Sequence, residues 1–365
     1  SGTPLPSDGG TRLLSSGSAP GGGGRTVERI REIVEAGIRD GVIHGAAVAA
    51  GSRDGLLLKA GYGEAAPGVP MTPGTIVDVA SVTKAVATTT ALLICRDRKL
   101  IDFDAPFTRY LPDFGPALPE PVSVRQLAMH VSGFTHDGHA ERQYFSESGE
   151  EIMRNILRFP PEKPAGKCVE YMCWNFLLLG LIVERAAGER LDSFCAREIF
   201  EPLGMSDTAL GRPVSQDRAI LAQTIGTEHP GEISDFIAFR VYRDGLCAGN
   251  AGLFSTARDL VKFGRCILRH GEGLFSEESF REMTTPRTPA GALPERSFGW
   301  IVRDGFSPPA ASAGTVFHSG WSGQTVLYDW KKGRSAVVLT TRCGDYDRAK
   351  RDRFAIAELL LEQFN

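Results

Sequence analysis

The sequence predicts an α+β protein, an antiparallel sheet flanked by helices with a mostly helical lobe inserted between the two halves of the sheet. Three observations predict it. Strand-like segments gather at the two ends of the chain, over 44–62 and 298–341, and helical patterns fill the stretch between them. The 365 residues exceed the usual domain size of about 100–200, so one two-lobed unit or two domains is expected. No internal repeat spreads either kind of element along the whole chain. The sheet domain is expected over 26–115 and 245–365, and the helical domain over 116–244.

The elements follow in order. Residues 1–25 are rich in Gly, Ser and Pro and end in a glycine run. They cannot bury enough apolar surface to order themselves and read as a flexible tail. Val27, Ile30, Ile33, Val34 and Ile38 fall on helical spacing, which predicts an amphipathic helix over 26–40. Two strands are expected at 44–51 and 56–62 with a turn at 52–55, and Pro67, Pro70 and Pro73 mark the loop after them. A helix over 81–98 buries Val82, Ala85, Val86, Leu92 and Leu93. Further helices are expected at 124–129, 150–159, 174–187 and 191–200, an irregular stretch at 211–240, and an amphipathic helix at 255–268. Strands return at 298–303, 315–318, 324–330 and 335–341, the last two forming a hairpin about 331–334. A helix over 348–364 closes the chain.

Composition excludes several classes. Hydrophobic residues make up 42% and charged residues 23%, ordinary for a chain with a sizeable core. The net charge of −3 is spread along the sequence, which argues against a nucleic-acid or anionic-membrane partner. No apolar run approaches the roughly 18–20 residues of a membrane span. The seven cysteines are scattered with no Cys-x-x-Cys, which argues against a disulfide framework or zinc ribbon. With no basic-then-apolar leader pattern at the start, a cytoplasmic location is expected. A secreted form whose leader has been removed would read the same. Gly61-Tyr62-Gly63 is followed by prolines rather than the helix a dinucleotide site needs. His-Glu-x-x-His and Gly-x-Ser-x-Gly are absent. His136 and His139 bracket an aspartate in a polar loop, read as solvated side chains rather than a metal site.

One pattern carries chemistry. Ser81-Val82-Thr83-Lys84 is the only Ser-x-x-Lys, placed where a helix is expected to begin. A three-residue step puts Ser81 and Lys84 on one helical face. The unpaired N–H groups and the positive end of the dipole at a helix start favour a developing alkoxide. A nearby lysine can take the serine proton if neutral or stabilise an anion if charged. The competing reading is a helix-start serine beside a solvated lysine.

Four further stretches decide between them: Leu127–Phe134 with His130, Tyr171–Glu184 with Gly180, Gly249–Leu260, and His318-Ser319-Gly320-Trp321 between two strands. In this order and spacing the chain resembles the serine beta-lactamase and penicillin-binding superfamily, from about residue 26 to the end. It is most like the branch holding class C beta-lactamases, DD-peptidases and the related family VIII esterases and transacylases. The resemblance implies a beta-lactamase/transpeptidase-like fold, with Ser81 as acyl acceptor, Lys84 as its partner and Tyr171 exchanging the serine proton and passing it to the leaving group. Whether Lys84 or Tyr171 is the base stays open, because the two would titrate as a unit. The implied oxyanion hole is the backbone N–H groups of Ser81 and Trp321. Taken alone, Tyr171 also fits a core tyrosine, His130 reads as structural, and residues 249–260 read as a glycine turn and a helix cap.

Two departures bear on substrate. Cys173 stands where the antibiotic-cleaving members carry the asparagine of Tyr-x-Asn, and a thiol is a weak hydrogen-bonding group. Asn175 matches a second asparagine seen downstream. His318-Ser319-Gly320 replaces Lys-Thr-Gly, so a mostly neutral histidine stands where a lysine would hold a substrate carboxylate. Trp174 and Trp321 are expected to line an apolar pocket suited to an acyl or aryl ester. The expected function is a serine hydrolase or acyltransferase acting on ester, or amide, substrates through an acyl-enzyme on Ser81. Cys173, Trp174, Asn175, His318, Ser319, Gly320 and Trp321 are expected to contact the substrate. No metal or cofactor is implied, the expected partner is a small ester or acyl molecule, and the oligomeric state is left open. A low-efficiency beta-lactamase or DD-peptidase is the alternative enzyme, and a non-catalytic peptide or cell-wall binding protein the alternative outside enzymes.

Overall fold

A computed structural model of the protein describes residues 23–136 and 148–363. Helix α1 spans Gly23–Arg39, so the helix begins three residues inside the segment expected as tail. Strands β1 (Ile43–Ser52) and β2 (Gly55–Ala66) form the first hairpin, about the expected turn. Short strands β3 (Val69–Pro70) and β4 (Val77–Asp78) precede a helix whose first turns, Lys84–Thr89, are π-helical and continue into α2 (Thr90–Asp97). Then come α3 (Val124–Ala128), α4 (Gly149–Asn155), α5 (Cys173–Ala187) and α6 (Leu191–Cys195). Strand β5 (Ala209–Leu210), α7 (Phe236–Arg243), β6 (Leu253–Ser255), α8 (Ala257–Leu268) and α9 (Glu277–Thr284) lead to the returning strands. These are β7 (Glu295–Arg296), β8 (Ile301–Arg303), β9 (Val316–Gly320), β10 (Gln324–Asp329) and β11 (Arg334–Arg342), before α10 (Tyr346–Glu362).

The predicted α+β architecture is observed. Eight strands form one sheet in the order β3-β2-β1-β11-β10-β9-β8-β7, every pair antiparallel, with β1 and β11 joining the two ends of the chain in its middle. Covering on both faces explains why β1 and β11 read as unbroken apolar or small-residue runs. Alternate residues separate cleanly. Ala46, Val48, Ala50 and Val338 join Ile30 and Val34 of α1 and Leu360 of α10 in one core. Ala47, Ala49, Val337 and Leu339 face α8 and the helical lobe in the other. A second, three-stranded sheet, β4-β6-β5, links the segment before Ser81 to the lobe.

Several boundaries differ from expectation. The stretch 211–240 ends in a helix: Asp235 caps α7 by accepting the Ala238 N–H, at 2.8 Å. The strand expected at 298–303 is extended only from Ile301, because Gly299 takes φ +79° and lies where a Cβ would meet Thr89 Oγ1 at 1.9 Å. The helix expected over 150–159 stops at Asn155, short of Pro160. Helix α9 and the two-residue strands went unpredicted, the strands being too short to show a period. Among the described residues no helix is long and apolar enough to cross a membrane.

Candidate active site

The segment entering α2 is built to present one hydroxyl. Across residues 75–95 every residue is buried except Ser81, which is partly exposed. Before it, Ala80 takes the left-handed conformation (φ +47°), which costs a non-glycine residue about 1–2 kcal/mol. Asp78, at the end of β4, holds this turn by accepting the Ala80 N–H at 2.9 Å with one oxygen. Its other oxygen accepts the N–H and hydroxyl of Ser234, both at 2.7 Å. Burial raises the Asp78 pKa against these hydrogen bonds.

Ser81 and Lys84 meet as their spacing predicts. Lys84 is fully buried, and its Nζ donates to Ser81 Oγ at 3.0 Å and to the Asn250 carbonyl at 2.8 Å, with Cys173 Sγ 3.5 Å away. The π-turn is locked by Thr89 Oγ1 donating to the Lys84 carbonyl at 2.7 Å. Burial works to lower the Lys84 pKa, but Cys173 and Tyr171, with a smaller push from Asp235, carry it above the ordinary lysine value.

Tyr171 comes from a different part of the chain, just ahead of α5. The Met172 N–H donates to His130 Nδ1 at 3.0 Å, and the His130 and Tyr171 rings lie 4.6 Å apart. His130 is thus the structural histidine the sequence indicated, at φ +57° and fully committed on one side. Lys84 Nζ lies 4.9 Å from the Tyr171 ring centroid. The phenol is raised above the pKa of free tyrosine by burial; Lys84 pulls it down, Cys173 pushes it up, and interactions with Lys84 and Ser81 at the hydroxyl lower it. Among the described residues neither of those contacts meets the geometry of a formed hydrogen bond, and the buried hydroxyl has no partner.

The third side of the site is the end of β9. A Cβ on Gly320 would stand 2.7 Å from the Val79 carbonyl and 3.1 Å from Ala80 Cβ, so the bare glycine lets the strand end close against the turn bearing Ser81. Trp321 follows it. Among the described residues, neither the Ser81 nor the Trp321 N–H finds an acceptor. Arg342 Nε donates to the Trp321 carbonyl at 2.7 Å, and its guanidinium lies 5.2 Å from the exposed Trp321 ring. His318 is buried and donates from Nδ1 to the Ser319 carbonyl at 3.1 Å. Burial, then Arg296 and Lys84, hold it well below the ordinary histidine pKa, so it is neutral. Ser319 Oγ pairs with Thr325 Oγ1 at 3.1 Å.

Two expected substrate contacts are corrected. Asn175 is fully buried; its Oδ1 accepts the Ser132 hydroxyl at 2.7 Å and its Nδ2 lies 3.1 Å from His130 Nδ1. Trp174 is also fully buried, in the core, beside the Phe134 ring. The reason is helical phase: α5 starts at Cys173, and steps of about 100° carry residues 174 and 175 inward while 173 stays beside Lys84. The Cys173 thiol is raised by burial against a lowering by Lys84. His139 lies outside the described residues.

Sequence reasoning missed Asn250, Asp78, Arg296 and Arg342. Residues 249–260 do form a turn and cap, with Thr256 accepting the Asp259 N–H. They also deliver the Asn250 carbonyl to Lys84, because Gly249 sits where a Cβ would meet the Phe176 carbonyl at 2.4 Å and Gly180 Cα at 3.0 Å. Two glycines matched across α5 were the one available signal.

A Ser-x-x-Lys turn, a tyrosine and a glycine strand end brought together define a class, and comparison agrees. The family model described as beta-lactamase matches residues 30–361, and the chain belongs to that family of serine hydrolases. It is 26% identical over 303 residues to the N-acetylmuramyl-L-alanine amidase of Bacillus subtilis (strain 168), covering 73% of this chain and 68% of that protein. Its fold is similar to that of EstCE1, a hydrolase with promiscuous acyltransferase activity (TM-score 0.75, 21% identity, 90% of this chain and 98% of that one). It is also similar to a penicillin-binding protein homologue from Caulobacter crescentus (TM-score 0.74, 20% identity, 94% and 99%).

Proposed function

We propose that the protein cleaves or transfers acyl groups of ester substrates through an acyl-enzyme on Ser81. The observation that carries this reading is the contact between the one accessible residue of the α2 segment and a buried ammonium: Lys84 Nζ to Ser81 Oγ, 3.0 Å. Ser81 Oγ attacks the substrate carbonyl and its proton passes to the Lys84–Tyr171 pair. The pair acts after losing one proton, shared between amine and phenol as a coupled unit. The carbonyl oxygen, now negative, is received by the N–H groups of Ser81 and Trp321, fixed before reaction. The unspent Tyr171 hydroxyl then protonates the leaving oxygen. Water or an alcohol reverses the sequence, releasing acid or a new ester.

Ester chemistry is favoured over the amide chemistry of the antibiotic-cleaving members. Neutral His318 supplies no fixed charge, Cys173 is a poor partner for a substrate amide, and the exposed Trp321 ring offers an apolar face. Intact mass spectrometry after exposure to a fluorophosphonate and to a short-chain p-nitrophenyl ester tests the reading. Wild type is expected to gain one adduct and Ser81→Ala none; equal labelling of both would overturn it.

A further inference from the structure

Helix α10 carries one residue that does not suit its place. Ala349, Arg353, Ile356 and Leu360 recur at the spacing of a single helical stripe, and all four are buried. The three apolar members join the core that α10 shares with the sheet. Arg353 is 0% exposed, as deep as they are. Its Nε donates to Thr325 Oγ1 of β10 at 3.0 Å, and Thr325 Oγ1 pairs with Ser319 Oγ, its cross-strand neighbour on β9, at 3.1 Å. The two terminal nitrogens of the guanidinium, Nη1 and Nη2, are buried and meet no acceptor among the described residues. Native interiors rarely leave such donors unmet, and a fork of them points to a partner.

Charge decides the kind of partner. Arg353 makes no ion pair among the described residues: Asp352, next to it in the chain, is held by Arg348 at 2.9 Å, and Asp329, at the end of β10, by Arg334 at 3.3 Å. Burial pushes the Arg353 pKa down to about 10; Tyr346 and Asp352 pull it up and Arg342 down, so it stays a cation at neutral pH. Lys350, three residues earlier, is lowered by burial and, against Asp304, by Arg353, so the region is cationic beyond one side chain. A water molecule would meet the N–H groups and leave the charge uncompensated, which destabilises a fold strongly; an anion answers both needs.

We propose that a small monovalent inorganic anion of halide size resides against Nη1 and Nη2 of Arg353, between α10 and the sheet. Single charge follows from the single unpaired guanidinium, since a divalent ion would leave buried negative charge in its place. A resident ion, rather than part of a substrate, follows from depth: Arg353 and Thr325 are both 0% exposed. Through Thr325 and Ser319 the ion is tied to the strand that ends at Gly320.

Thermal melts at one ionic strength in sodium chloride and in sodium gluconate, whose anion is too large to be buried there, test this. Wild type is expected to melt about 2 °C higher in chloride, the shift given by a roughly twentyfold excess of ligand over its Kd in a chain of this size. Arg353→Met, which keeps the stem and removes the charged fork, should show no chloride-specific shift. No shift in wild type, or equal shifts in wild type and variant, overturns the proposal. An arginine that merely packs would leave the two salts equivalent. Should Arg353→Met fail to fold, the chloride NMR linewidth decides on wild type alone. The excess broadening caused by the protein must fall when bromide is added and persist when gluconate is added; broadening that responds to neither, or to both alike, overturns the proposal.

Discussion

Replacing Gly320 with alanine isolates the contribution of the strand end to the reaction. The added Cβ would stand 2.7 Å from the Val79 carbonyl, about 0.7 Å short of an ordinary contact, and 2.6 Å from Gln324 Oε1. The buried Gln324 amide, bonded to the Ser322 hydroxyl and the Thr340 carbonyl, yields only by giving up those bonds, and the Val79 carbonyl belongs to the backbone immediately before Ala80 and Ser81. The strand end must therefore retreat by several tenths of an ångström, taking the Trp321 N–H with it. Losing one oxyanion donor costs about 10²–10³ in kcat, and a displacement of about 1 Å costs about 10². A 30- to 300-fold fall in kcat follows, with KM changed much less, since the ground-state carbonyl needs the donor less than the tetrahedral oxyanion does. Overpacking should lower stability by about 1–3 kcal/mol. Steady-state kinetics on a p-nitrophenyl ester, with a thermal melt, reads both effects. A kcat within twofold of wild type in a folded variant would refute the placement of the oxyanion hole.

Lys84→Met, which keeps the length of the buried stem and removes the charge, should cost at least about 10³ in kcat/KM, as loss of one member of a coupled catalytic unit does; activity within tenfold of wild type would remove Lys84 from the proton path. The raised pKa values of Lys84 and Tyr171 predict that kcat/KM for a neutral ester climbs between pH 7 and 9; a profile already flat from pH 6 would contradict it. Folding stability should also fall toward acid. His130 is depressed chiefly by burial and Arg296, and His318 by the same two, so both are neutral when folded but protonate near 6.5 when unfolded. Their stabilisation is complete above pH 6.5 and is lost as pH falls toward the folded-state values, by up to about 1.4 kcal/mol per pH unit for each histidine. Urea titrations at pH 7.5, 6.5 and 5.5 check this, and unchanged midpoints would contradict it.

Much of this was legible in the chain. The two strand clusters and the apolar helices between them predict the sheet and its inserted helices, because periodicity is imposed locally by which face is buried. The three-residue step from Ser81 to Lys84 likewise reports a local geometry, and the π-turn that begins at Lys84 left it intact. Phase was less legible: Trp174 and Asn175 follow Cys173 in the chain, but steps of about 100° along α5 carry both into the core.

What the amino-acid order carried by itself was the resemblance to its family and the placing of Ser81 and Lys84 on one helical face, since a three-residue step is a short-range property. Only the tertiary structure decided the electrostatics. Whether Lys84 is charged, and where the Asn250 carbonyl ends, depend on groups 89 and 166 residues apart in the chain meeting in a buried region. Burial and pairing set the energy of a charge there, and neither is a property of the residue's own neighbours in the chain.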